Sequence, residues 1–99
     1  MKVRVYFSKE PESELFIRTN KISNQALITL YDLVWETEFK NIINVGKIWL
    51  KFKEERKPFG IPLREKRDHI QITPGDIIQI AENYYIVDIV GVKKITITN

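Results

Sequence analysis

Residue types able to do chemistry are few in this chain. Its single histidine, His69, follows Arg67 and Asp68. An aspartate beside an imidazole can orient it as a general base. Neighbours on a strand point to opposite faces, however, so Asp68 and His69 are not expected to interact, and His69 reads as a solvated loop residue. One histidine cannot build a multi-histidine metal site, and the acidic residues lack calcium-loop spacing. The absence of cysteine removes thiolate ligands, thiol nucleophiles and disulfides together. No glycine-rich phosphate loop or serine elbow is present. Glu55-Arg56-Lys57 matches a nuclease E-x-K fragment but has no partner aspartate at a recognisable strand end. Glu10, Glu12 and Glu14 read as a solvated turn that guards a hairpin edge. The expectation is a protein without a catalytic centre, metal or cofactor.

The basic stretch from Lys47 to His69 is the richest candidate. Its cations are Lys47, Lys51, Lys53, Arg56, Lys57, Arg64, Lys66 and Arg67, interspersed with Glu54, Glu55, Glu65 and Asp68. Lys47-Ile48-Trp49-Leu50-Lys51-Phe52-Lys53 alternates as a strand, which places the lysines and Trp49 on one face. Such a face can hold phosphates while a base stacks on the indole. Alternatively, the lysine stems simply cover a partly buried Trp49.

These residues need a scaffold, and 99 residues supply one domain. Hydrophobic and charged fractions of 43% and 29% are those of a folded protein, and the net charge of +3 demands no nucleic-acid partner by itself. Residues 2–8 alternate as a strand; 9–14 read as a turn and 15–19 as a second strand, forming a hairpin. Ser23 or Asn24 caps a helix expected over 24–38, with Leu27, Leu30, Tyr31, Val34 and Trp35 at helical spacing. Its apolar arc is wider than one sheet can cover. Ile28, Trp35 and Phe39 therefore need a lid, either Phe59, Ile61 and Leu63 of the 54–69 loop or a second copy in a homodimer. His69–Ile72 reads as a short strand and Thr73-Pro74-Gly75-Asp76 as a type II turn. Strands over 77–81, 84–90 and 93–98 follow, and the last could pair with its own copy if it lies at a sheet edge. The fold class is α+β, one principal helix packed on a mostly antiparallel sheet of five or six strands.

The order of Met1–Phe7, Leu15–Thr19 and the helix from Ser23 resembles that of β-grasp, ubiquitin-like domains. The tail Ile95-Thr96-Ile97-Thr98-Asn99 lacks their C-terminal diglycine, so no conjugation role carries over. Pro74-Gly75-Asp76-Ile77-Ile78, followed by Tyr84-Tyr85-Ile86-Val87-Asp88-Ile89-Val90-Gly91, is similar to the small RNA-binding barrels of the PUA and ASCH type. The isoleucine-, lysine- and tyrosine-rich, cysteine-free chain as a whole resembles small proteins of filamentous and rod-shaped viruses of thermophilic archaea. That resemblance implies the context of a virus or mobile element. The thin catalytic inventory and the over-wide apolar arc make the expectation a non-enzymatic binding or assembly protein that is dimeric. An N-terminus without an apolar leader core and short apolar runs make it intracellular with no membrane span. The alternative is a sequence-tolerant nucleic-acid binder working through Trp49 and its cations.

Overall fold

The computed structural model describes residues 1–9, 14–67 and 69–99. Along the chain run β1 (Lys2–Ser8), α1 (Glu14–Thr19), β2 (Lys21–Ser23), α2 (Asn24–Leu30), β3 (Tyr31–Glu38), α3 (Val45–Glu54), β4 (Ile77–Ile80), β5 (Asn83–Asp88) and β6 (Gly91–Thr98). The strands form one six-stranded sheet in the order β2-β6-β5-β4-β1-β3. All neighbours are antiparallel except β2 and β6. This is an α+β fold with α3 as its principal helix.

Side chains of β1 alternate between two cores. Val3, Val5 and Phe7 join Ile78, Ile80 and Val87 beneath α3, which contributes Ile48 and Phe52. Tyr6 faces the opposite side, where Ile22, Leu27, Tyr31, Ile77, Ile86 and Ile95 pack beneath α1 and α2. A layer of helix therefore lies on each face of the sheet, and the strands bury apolar groups on both.

Four expected elements take a different form. Leu15–Thr19 belongs to a helix rather than a hairpin strand, so the hairpin behind the β-grasp-like order is not formed. The helix ends at Asn20, whose φ of 57° and amide bond to the Phe16 carbonyl (3.0 Å) make a left-handed stop. The helix expected over 24–38 is correctly capped, the Ser23 side chain accepting from the Ala26 amide at 3.0 Å, but it ends at Leu30. Tyr31–Glu38 is instead an edge strand. Register slips between Val5 and Tyr6, which pair with Trp35 and Leu33, leaving Val34 as an extra residue. That bulge buries Val34 and Trp35 side by side, so Tyr31, Val34 and Trp35 acquire a helix-like spacing within a strand.

The third difference is α3, where alternation suggested a strand. Asn44 Oδ1 accepts from the Gly46 amide at 2.7 Å and starts the helix. Ile48 and Phe52, one turn apart, are its buried pair, and Val45 and Trp49 pack partly beside them. Leu50 points away, 49% exposed. His69–Ile72 is irregular rather than a strand, with Ile72 buried in the α3-side core. The turn at Thr73–Asp76 is as expected: the Asp76 amide reaches the Thr73 carbonyl at 3.1 Å and Gly75 takes φ 98°. The three strands after it form as a meander. The 9–14 turn with Glu10 and Glu12 falls largely outside the described residues.

The expected lid is also in place. Phe59, Ile61 and Leu63 pack against the α3-side core, and Phe59 meets the rings of Phe39 at 5.1 Å and Trp35 at 6.1 Å. The same segment occupies the outer edge of β3: the Arg64 amide donates to the Val34 carbonyl at 2.8 Å and Trp35 Nε1 donates to that of Ile61 at 3.2 Å. Across β1 and β3, the Arg4 guanidinium hydrogen-bonds Glu36 and holds that carboxyl below its usual range.

Helical rather than extended geometry at α3 makes Phe52 and Leu50 unequal. Phe52→Ala should destabilise by about 3–5 kcal/mol and Leu50→Ala by less than about 1 kcal/mol in urea unfolding; equal losses would restore the strand. Because Glu36 is depressed in the fold, its contribution is present above about pH 4.3, its unfolded value, and is lost as pH falls through the lower folded one. Thermal unfolding of Glu36→Gln should therefore show a shallower acid slope than the parent protein.

Candidate functional site

The candidate cations do not share a strand face. At about 100° per residue, α3 puts Lys47 and Lys51 on one side of its axis and Trp49 on the other. Trp49 and Lys53, one turn apart, remain neighbours, with Lys53 Nζ 4.6 Å from the centre of the indole ring. Trp49 is half-buried against the core, so lysine covers the indole.

Three cations lie beside carboxylates of the chain, two of which are shared, Glu36 with Arg4 and Asp32 with Lys9. Lys51 pairs with Glu55 at 3.0 Å, Arg64 with Glu36 at 3.8 Å and Lys66 with Asp32 at 3.9 Å. Lys47, Lys53, Arg56, Lys57 and Arg67 form no ion pair among the described residues. Lys47 stands in the first turn of α3, and Lys57 lies just beyond the helix. The other three converge. Lys53, Arg56 and Arg67 line a cleft of about 450 Å³ between the end of α3 and the 63–71 segment, together with Glu54, Glu55, Leu63, Ile70 and Gln71. Gln71 Nε2 donates to the Lys53 carbonyl at 3.2 Å and joins the two walls. A recess of about 300 Å³, lined by Glu65, Arg67, His69 and Ile70, shares Arg67 and Ile70 with the cleft.

The far wall is held by a group that the sequence reading did not find. His69 is not a solvated loop residue. Its Nε2 lies 2.8 Å from Asp76 Oδ2, and its ring stacks on Phe7 with centroids 4.4 Å apart. Asp76 has no exposed surface; its Oδ1 accepts from the Ser8 amide and its Oδ2 from the Thr73 amide, both at 2.8 Å. Tyr31 donates to the Gly75 carbonyl at 2.7 Å. Burial, and secondarily the charge of Asp76, push its phenol above the usual range, so it stays a donor. The available signal was Thr73-x-x-Asp76 around a Pro-Gly turn, since turn aspartates bond nearby backbone amides. The reach to His69 and Ser8 had no signal.

The proposed interface residues separate. Trp35 is 1% exposed and packs edge-on to Phe52 at 5.1 Å, and Phe39 lies partly buried beside Phe59. Both are occupied within the chain, whereas Ile28 stands 64% exposed on α2. β6 does not lie at the sheet edge; β5 flanks it on one side and β2 flanks Thr96–Thr98 on the other. Among the described residues no helix is long and apolar enough to cross a membrane. Compared with protein-family models, curated proteins and solved structures, the chain matches none.

Removing the Asp76 carboxylate leaves two buried amides and His69 without their acceptor. Asp76→Ala should destabilise by about 3–5 kcal/mol in denaturant unfolding, well beyond the effect of a surface aspartate.

Proposed function

We propose that this is a non-enzymatic binding protein whose ligand is single-stranded nucleic acid, engaged through the cleft between α3 and the 63–71 segment. One observation carries the reading. The chain sets Lys51, Arg64 and Lys66 beside its own carboxylates, yet lines one cleft with Lys53, Arg56 and Arg67, which form no ion pair among the described residues. Convergent unpaired cations are an electrostatic footprint for phosphate. Leu63 and Ile70 add apolar surface between them against which a base can lie. The ligand contact is thus moved from the middle of the basic stretch to the end of the helix, with Lys57 at its margin and Trp49 beneath Lys53.

Few phosphates can be held at once, so binding should be modest and strongly salt-dependent. Fluorescence anisotropy with a labelled single-stranded oligonucleotide should show micromolar affinity at ~50 mM salt that weakens steeply by ~200 mM. Lys53→Glu combined with Arg56→Glu should abolish it, and Lys47→Glu should leave it nearly intact. Absence of binding at the lower salt sinks the reading in favour of self-association. The exposed Ile89 and Val90 at the β5–β6 turn are the apolar surface available for that.

A further inference from the structure

Arg67 is the unusual member of the cleft. Its Nη1 donates to the Arg64 carbonyl, while its Nε is buried and has no hydrogen-bond partner. It is the one buried side-chain nitrogen or oxygen among the described residues in that condition. A buried donor on a permanently charged group is costly when it lacks an acceptor. The rest of the side chain is only half-buried and lines both the cleft and the neighbouring recess. Rotation about its side-chain bonds would turn the Nε–Nη2 edge of the guanidinium into the cleft. That edge presents two parallel N–H donors, the geometry that an oxyanion fills in bidentate fashion.

What the rotated guanidinium would meet follows from its surroundings. Lys53 and Arg56 belong to the α3 side of the same cleft, so three cations line it, with the Lys53 ammonium over Trp49. Among the acids of that lining, Glu55 is committed to Lys51, leaving Glu54. Beyond the cleft, the cations of this stretch that form no ion pair among the described residues are Lys57 and, in the first turn of α3, Lys47. Arg64 and Lys66 lie beside Glu36 and Asp32, so they make no continuous line. A continuous strand of singly charged phosphodiesters needs such a line. A single phosphate monoester does not: it carries up to two charges and three acceptor oxygens on one atom. From this geometry we infer that the cleft is a phosphomonoester subsite that binds the phosphorylated end of a strand rather than its interior, with Arg67 as the bidentate ligand. This deepens the nucleic-acid reading and rests on it for the identity of the ligand, but not for the presence of the phosphate site.

Two probes separate those dependencies. Anisotropy titrations would compare a short single-stranded DNA bearing a 5′-phosphate, the same strand with a 3′-phosphate, and the same strand with hydroxyls at both ends. In parallel, the arginine Nε–H resonance of Arg67 would be followed by NMR during addition of inorganic phosphate. One of the phosphorylated strands should bind roughly tenfold more tightly than the hydroxyl strand, the advantage vanishing in Arg67→Gln and partly returning in Arg67→Lys. The Arg67 Nε–H should shift with phosphate in the parent protein. Equal affinity for all three strands, with no phosphate-induced shift, overturns the subsite while leaving nucleic-acid binding intact. A shift with phosphate but no binding of any strand upholds the subsite and removes nucleic acid as its source. Because Arg67→Gln removes no buried partner, its thermal unfolding should match the parent and exclude misfolding as the cause of lost affinity.

Discussion

A fully buried carboxylate must be surrounded by donors, and the arrangement around Asp76 organises one whole side of this protein. Its two oxygens collect amides from the end of β1 and from the turn before β4, and the imidazole of His69 completes the set. The Ser8 contact joins parts of the chain distant in sequence, the Thr73 and His69 contacts are local, and all three are enforced by the cost of leaving that charge unmatched. His69 in turn lies flat on Phe7, a core residue of β1. The irregular stretch between α3 and β4 is thereby clamped to the sheet at its far end. That stretch forms the second wall of the cleft, so the clamp sets the distance across which Arg67 faces Lys53 and Arg56.

At its near end the same stretch is held by apolar packing. Phe59 sits at φ 55°, followed by Gly60 at φ 78°, a reversal that a bulky residue adopts only when its surroundings compensate. Here Phe39 and Trp35 supply the compensation through ring contacts. Immediately afterwards the chain bonds to the outer edge of β3 through Ile61 and Arg64. Covering this edge blocks strand addition there, and β2 at the opposite edge is only three residues long. One loop thus protects the sheet, roofs the aromatic core and shapes the binding wall.

Electrostatics follow from this placement. β3 carries Asp32 and Glu36, and the loop crossing its edge brings Lys66 and Arg64 to them. Because Arg4 and Lys9 share the same two carboxylates, the charge of those cations is offset only in part. Lys53, Arg56 and Arg67, without an ion pair among the described residues, gather where α3 ends. Lys53 over Trp49, and the amide of Gln71 bound to the Lys53 carbonyl, hold that end in register with the opposite wall.

Local chemistry was legible wherever one residue type dictates its own geometry. The Ser23 cap, the Thr73–Asp76 turn, β1 and the three strands after Gly75 all follow from side-chain oxygens, proline, glycine and β-branched alternation in adjacent positions. The apolar lid of Phe59, Ile61 and Leu63 was legible for the same reason, as was the basic character of the 47–67 stretch. Tertiary structure decided the rest. A bulge against β1 gave a strand the spacing of a helix at Tyr31, Val34 and Trp35, and Lys47–Lys53 satisfied the periods of both helix and strand until the core selected Ile48 with Phe52. The reach of Asp76 to Ser8, the stacking of His69 on Phe7, and the sorting of cations into paired and unpaired depend on contacts across the fold. No local pattern encodes them, because their energies exist only once distant segments have been brought together.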